Sequence, residues 1–315
     1  MDSSPLVSIV ITSYNYDRFL GAAIDSALNQ TYPTTEVLVV DDGSTDDSRA
    51  VITSYGDRIL PVLKENGGEA SAFNAGVATS KGSIVCFLDS DDVFVLEKVA
   101  RVVEVFARHP SIGSCFHTLQ ALNQIGTNTS FARLTPQGEH DYRPRVRRGM
   151  MPAIASTMSG MCFRRTLLQT IAPMPELKRS AIGEHYIKWT ALALQPVYFL
   201  DEPLALRRVH GNNSYTARAT DVTKARHRII QACWMREQFP DLLARWADTV
   251  FANGLGIYWR AGGIEADLRE RVQHYLASVS SIARARIMLS ALYHRSNVEE
   301  YIQRLCRMMP LARSK

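Results

Sequence analysis

Three carboxylates stand within four residues at Asp89-Ser90-Asp91-Asp92, directly after the apolar run Ile84-Val85-Cys86-Phe87-Leu88. Carboxylates so close together repel one another, and desolvating them unpaired is costly. A divalent cation held by oxygen ligands and bridging to phosphates would relieve that cost. The plainer reading is a solvated turn in which Asp92 caps the helix that follows.

Similar polar endings close three other apolar runs. Val7–Thr12 ends in Ser13-Tyr14-Asn15, Glu36–Val40 ends in Asp41-Asp42-Gly43-Ser44-Thr45-Asp46, and Ile59–Leu63 leads to Asn66-Gly67-Gly68. The first two of these runs read as buried strands and the third as a short strand. Helical spacing follows each one: Phe19, Leu20, Ile24, Ala27 and Leu28 after an Asp17 cap; a helix capped by Ser44, Thr45 or Asp46 through Tyr55; Glu69–Thr79; and Val95–Arg108. Four strand–turn–helix units predict an α/β fold with a mostly parallel sheet and helices on both faces. Ligands of such sheets bind beyond the strands' carboxyl ends. That places the polar endings on the active edge.

Farther along, Ser111–Leu122 reads as a further strand. Asn123–Pro152 is rich in Gly, Pro, Asn and Arg and lacks periodicity, as long functional or mobile connections do. Met158–Arg165 is a short strand entering a helix, Glu184–Leu194 a helix, and Val197–Leu200 and Leu204–Val209 two strands that end at His210-Gly211-Asn212-Asn213. From Thr220 only helical patterns remain, over 220–238, 241–260, 263–280 and 282–308. Their Trp234, Met235, Phe239, Trp246, Phe251, Tyr258 and Trp259 are expected in a core or a subunit contact.

Charge divides the chain. From Arg207 onward 18 Lys and Arg face 9 Asp and Glu, while the first 206 residues carry 18 basic and 22 acidic residues. An acidic first part suits a cation-dependent site. A basic second part suits an anionic membrane surface, a lipid-linked phosphate acceptor or a solvated helical face, and its aromatic helices suit a partner subunit. No groove-reading motif points to nucleic acid. Five cysteines without paired spacing, a polar Met1–Pro5 unlike a signal peptide, and no run of about 18 apolar residues predict a cytoplasmic protein, peripheral at most to a membrane.

With these pieces placed, the chain resembles the family 2 glycosyltransferases of the GT-A fold. The resemblance lies in Val7–Asn15, Ser26–Tyr32, Val39–Asp46, Asn66-Gly67-Gly68 with Asn74-Ala75-Gly76, and Phe87–Asp92, in that order. It covers about residues 5–215 and implies a catalytic domain over 1–215 followed by a helical region over 216–315. It also implies inverting transfer of a sugar from a nucleotide-diphosphate donor, UDP by family habit, to a glycan, lipid-linked or protein acceptor with Mn²⁺ or Mg²⁺.

By position, Thr12 and Tyr14 would line the base pocket, and Asp42 would accept a hydrogen bond from the base. Asn15, Asn66 and Ser90 would belong to the donor site. Asp89 would face the ribose or the cation, and Asp91 would ligate the cation. Arg207-Arg208-Val209-His210 resembles the family's Arg-x-His motif, making His210 a candidate cation ligand and Arg208 a phosphate partner. The general base is usually carried in a Glu-Asp pair opening a helix. This chain has Glu184-His185 there, so the base is Glu184 or His185, or the protein binds sugar nucleotides with impaired catalysis. A nucleotidyltransferase would instead open with a Gly-rich, basic loop where this chain has Thr12-Ser13-Tyr14-Asn15.

Overall fold

The computed structural model describes residues 4–122, 128–130, 137–150, 154, 156–176, 183–210, 220–264 and 266–296. Parts of the Asn123–Pro152 connection, the Gly211-Asn212-Asn213 end of the last strand motif and the helix expected beyond 296 lie outside the described residues.

Contacts divide the chain into two units, Met1–Val146 with Met151–Ala217, and Arg147–Met150 with Arg218–Lys315. The first is built on one mixed sheet. Its strands are β1 (Val7–Ser13), β2 (Thr35–Asp42), β3 (Leu60–Lys64), β4 (Ile84–Asp89), β5 (Val93–Phe94), β6 (Ser114–Leu122), β7 (Asn128–Ser130), β8 (Gly138–His140), β9 (Met161–Arg164) and β10 (Val197–Arg208). The order is β3-β2-β1-β4-β9-β6-β10-β5, with β7 on β6 and β8 on β10. β1 to β4 pair in parallel, β9 enters antiparallel between β4 and β6, and β6 pairs in parallel with β10.

The helices of this unit are α1 (Asp17–Leu28), α2 (Ser48–Ser54), α3 (Glu69–Thr79), α4 (Lys98–Arg108), α5 (Arg143–Arg147, whose last residue belongs to the second unit), α6 (Arg165–Ile171) and α7 (Gly183–Leu194). Val7, Ile9, Val10 and Ile11 of β1 are wholly buried, as expected of a strand covered on both faces. Leu20, Ala23, Ile24 and Ala27 present the buried stripe of α1. Small residues line α3, and a Cβ at Gly76 would overlap the Val10 side chain, so this glycine sets the helix-to-sheet distance.

Several sequence expectations are corrected in detail. Asp17 does not cap α1: the cap is Tyr16, and the Asp17 N–H donates to Asp46 Oδ2 at 3.0 Å. Asp46 Oδ1 also accepts from the Ser48 N–H at 3.0 Å, so one carboxylate serves the starts of two helices. The fourth helix starts at Lys98 rather than at 95, too far on for Asp92 to cap it. The two strands expected around Asp201-Glu202-Pro203 are one, β10, whose register against β6 shifts at Pro203. Within 123–152, two short strands and α5 appear where no element was expected.

The second unit contains α8 (Asp221–Gln238), α9 (Pro240–Arg260), α10 (Ala266–Ser278) and α11 (Ser281–Arg295). Trp234, Met235, Trp246, Phe251 and Tyr258 are buried, and Phe251 stacks on Tyr275 with centroids 4.0 Å apart. Buried Asp248 accepts from Arg236 at 3.0 Å, Tyr275 at 3.0 Å and Arg286 at 2.6 Å, pinning three helices to α9. None of the described helices is long and apolar enough to cross a membrane.

Because Gly76 meets Val10 directly, Gly76→Val is expected to overpack the α3–β1 contact and cost roughly 1–3 kcal/mol. Urea unfolding would show this as a lower midpoint at unchanged slope.

Candidate active site

Strand register levels the polar endings. Thr12 pairs with both Val40 and Asp89, Ser13 with Asp41, and Asp42 with Lys64, so the carboxyl ends of β3, β2, β1 and β4 form one edge. Gly43 turns the chain after β2 at φ +78°, and a side chain there would strike the Asn66 backbone.

At the acidic bend, Asp89, Asp91 and Asp92 each offer a carboxylate oxygen, all within 4.8 Å of one another. Asp92 is buried. Its Oδ2 accepts from Ser159 Oγ at 2.6 Å and its Oδ1 from the Arg208 N–H at 3.0 Å, partners that leave it no capping role. Ser159 Oγ also accepts from the Asp89 N–H at 3.1 Å. His210 Nε2 lies 3.0 Å from Asp91 Oδ2, and Arg208 Nε donates to the Asp91 carbonyl at 3.1 Å. The His210 ring packs on Phe19 with centroids 4.9 Å apart, and the Arg208 guanidinium lies 4.9 Å from the same ring. Ser90 is buried within the bend.

Electrostatics mark this cluster as short of positive charge. Burial, then repulsion from Asp91, pushes the Asp92 carboxyl up to about 7. Burial, then Asp92 and Asp91, holds Asp89 well above the ordinary carboxyl range. The three carboxylates form an oxygen set that could hold a divalent cation, with His210 Nε2 beside Asp91.

At the β2 end, Asp42 Oδ1 accepts from Lys64 Nζ at 2.6 Å and the Gly67 N–H at 3.0 Å, and Oδ2 from the Gly68 N–H at 2.8 Å. One acceptor position on Oδ2 is left. Asn66 Nδ2 donates to the Asp42 carbonyl at 2.9 Å. Asn15, at φ 57°, accepts from the Thr45 N–H at 2.7 Å and donates its own N–H to Ser44 Oγ at 2.9 Å. It thus ties the β1 end to the loop before α2. Tyr14 is half exposed and Thr12 partly buried at the same edge.

Glu184 opens α7. Its Oε1 is 3.0 Å from Lys188 Nζ, which is buried and also donates to the Ser156 carbonyl at 2.7 Å. Burial raises the Glu184 pKa, but Lys188 and His185 outweigh it and hold the group below the ordinary range. Arg207 favours the charged form of both Glu184 and Asp92, and the Glu184 charge raises Asp89. Base candidate and acidic bend therefore share one electrostatic neighbourhood. His185 is partly buried beside Glu184.

Sequence reading missed Ser159, Lys64, Lys188 and Glu69. Lys188 was legible, since an acid and a lysine four apart meet on a helix face. Ser159 carries no local signal, because its partners lie 67 and 70 positions away.

The family model described as "Glycosyl transferase family 2" matches residues 8–171. A protein of Nostoc sp. named as a glycosyltransferase is 34% identical over 226 residues, 68% of each chain. Among solved structures, S. aureus TarS 1–349 in complex with UDP-GlcNAc superposes with a TM-score of 0.65 at 18% identity, covering 95% of this chain and 91% of that one. A mannosyltransferase of Pyrobaculum calidifontis in complex with GDP-Man and Mn²⁺ gives 0.53 at 18%, covering 93% and 88%. The two structural likenesses are of fold.

Ser159→Ala would strand both Asp92 Oδ2 and the Asp89 N–H. The expected loss is about 1–3 kcal/mol, the cost of an unsatisfied buried polar group, read from chemical unfolding.

Proposed function

The chain belongs to glycosyl transferase family 2, and from that premise we propose an inverting transfer of a sugar from a UDP-sugar to a hydroxyl of a glycan, lipid-linked or protein acceptor, assisted by Mn²⁺ or Mg²⁺. The observation that carries this reading is the juxtaposition of Asp89, Asp91 and Asp92 with His210 and Arg208 at the carboxyl edge.

Asp91 and His210 would hold the cation, with Asp89 next to it. When bound, the cation supplies positive charge against the donor diphosphate. Arg208 adds a guanidinium for the same phosphates. The remaining acceptor position of Asp42 Oδ2 would take an N–H of the base, beside Thr12 and Tyr14. Asn15, Asn66 and Ser90 shape the walls of this pocket.

At the other end, Glu184 is ionised at neutral pH and takes the proton of the acceptor hydroxyl. The acceptor oxygen bonds to the anomeric carbon as the bond from that carbon to the diphosphate oxygen breaks, and the nucleoside diphosphate leaves with the electron pair. Glu184 is preferred over His185 because Lys188 fixes its side chain. The same ion pair favours a second reading, a sugar-nucleotide-binding protein with impaired turnover, since a carboxylate stabilised by a lysine is a weaker base.

Calorimetry with UDP, GDP and dTDP, with and without Mn²⁺, tests the donor site. Metal-dependent binding of UDP that is lost in Asp91→Ala is expected; binding of no nucleotide under either condition would sink the proposal. Glu184→Gln is expected to keep UDP binding and to slow donor turnover by about 10²–10⁴. Binding without turnover in the wild type, on any acceptor supplied, would favour the second reading.

The basic second unit presents α11 as a surface for an anionic bilayer at the cytoplasmic side. Ile282, Leu289, Leu292 and Tyr293 are 83%, 69%, 50% and 44% exposed on this helix. Ser281–Arg295 contains no acid, and Arg284 and Arg295 lie beside the apolar stripe, a pattern suited to lying in a charged interface. A second copy of the chain is the poorer occupant, because a two-fold contact would set arginine against arginine. Flotation with phosphatidylserine vesicles is expected to lift the wild type and to fail for Leu289→Glu or in neutral vesicles. Equal behaviour of the two proteins would remove this contact.

A further inference from the structure

Glu69 is the first residue of α3 and takes no part in the expected donor site. Its Oε2 accepts from the Gly183 N–H at 2.8 Å, at the first turn of α7 and one residue before Glu184. The two helices meet closely there. A Cβ on Gly183 would overlap the Phe73 ring and approach the Ala70 amide at 3.3 Å. Glu69 also follows Gly68 directly, and the Gly68 N–H is one of the three donors on Asp42. A short covalent and hydrogen-bonded path thus runs from Asp42 through Gly68, Glu69 and Gly183 to Glu184.

The family motif would carry a second acid after Glu184, where this chain has His185. We propose that Glu69 supplies that acid from another element, as a positioning residue that holds the first turn of α7, and with it Glu184, against α3 for proton transfer. This rests on the reading of Glu184 as the base.

The charges around the pair agree with that division of labour. Glu184 faces Glu69 from α7, with Lys188 and His185 beside Glu184, and Asp89 lies within electrostatic reach on β4. Burial, then the Glu184 charge, pushes Glu69 up to about 8, while Glu184 is held low. Near neutral pH one carboxyl is therefore protonated and the other ionised. Two acids pushed apart by their surroundings can take different roles in one site.

The experiment compares wild type, Glu69→Ala, Glu69→Gln and Glu184→Gln. Three readouts are taken: UDP affinity with Mn²⁺, turnover of the donor measured as released nucleoside diphosphate, and hydrogen exchange in the first turn of α7. For Glu69→Ala, kcat is expected to fall about 10- to 100-fold with donor KM and UDP affinity within about twofold, and α7 exchange to quicken. Glu69→Gln keeps an acceptor oxygen for Gly183 and should recover most of the rate and the protection at pH 7.

Unchanged exchange and kcat in Glu69→Ala would overturn the proposal, as would a glutamine variant no better than alanine. Full turnover in Glu184→Gln would instead remove the assignment of the base, leaving exchange to judge the hold of Glu69 on α7 by itself. A thermal series separates titration from packing. With its folded pKa raised, Glu69 binds its proton more tightly in the native state, so wild-type stability falls as pH rises from about 4.5 towards 8. The stability of Glu69→Gln relative to wild type should therefore grow between about pH 5 and about pH 9. A flat difference would count against the raised Glu69 pKa beside Glu184.

Discussion

Crowding of negative charge at the end of β4 is the constraint around which the first unit is arranged. Asp92 is buried and cannot be left unpaired, since an uncompensated buried anion costs several kcal/mol. Its two donors come from distant elements, Ser159 before β9 and the Arg208 backbone at the end of β10. Satisfying one carboxylate therefore fixes where β4 and β10 end and where β9 begins. Ser159 is the hub, because its carbonyl also accepts from the buried Lys98 Nζ at 2.8 Å while that ammonium rests over the Phe94 ring. Burial lowers the Lys98 pKa, and the nearby Asp92 is among the groups opposing that shift.

Burial alone does not decide the charge of an acid in this site; the partners do. Glu69 and Glu184 both suffer desolvation, yet their pKa values move in opposite directions. Glu184 has a lysine one helical turn away and Arg207 nearby, so Coulomb attraction exceeds the desolvation cost. The hydrogen bonds on Glu69 come from backbone amides at the start of α7, and these do not offset burial together with the Glu184 charge. The amides at a helix start favour an anion by a modest amount, about 0.3–1 kcal/mol at an exposed site. That is less than the combined effect of partial desolvation and the neighbouring Glu184 charge.

The central parallel strands were legible because they are covered on both faces and so read as unbroken apolar runs: Val7–Thr12, Glu36–Val40 and Ile84–Leu88 coincide with β1, β2 and β4 to within a residue or two, whereas the edge strand β3 is largely exposed. Their polar endings marked the sheet's carboxyl edge for the same reason, as nothing apolar is needed where the strand leaves the core. Pairing direction is not written locally, so the antiparallel entry of β9 between β4 and β6 could not be read from Met158–Arg165. β10 read as two strands because Asp201-Glu202-Pro203 looks like a turn, whereas the sheet absorbs it as a register shift. Glu69 stood in view as an acid opening a helix, but its partner is 114 positions away, and no periodicity spans that distance.

The two units offer a physical criterion for telling a structural buried acid from one that awaits a ligand. Asp248 in the second unit is as buried as Asp92, but two of its three donors are guanidinium groups, from Arg236 and Arg286. Its charge is compensated within the protein, and its work is to hold α9 to its neighbours. Asp92 receives one hydroxyl and one backbone N–H, both neutral, and has two further carboxylates within 4.8 Å. Hydrogen bonds from neutral donors satisfy lone pairs without cancelling charge, so the raised pKa values of Asp89 and Asp92 follow from burial and mutual repulsion that nearby positive charge does not offset. Offsetting that repulsion with another arginine would stabilise the fold and occupy the place where a cation and a diphosphate could enter. Under the proposed function, the compensating charge would arrive with the cation.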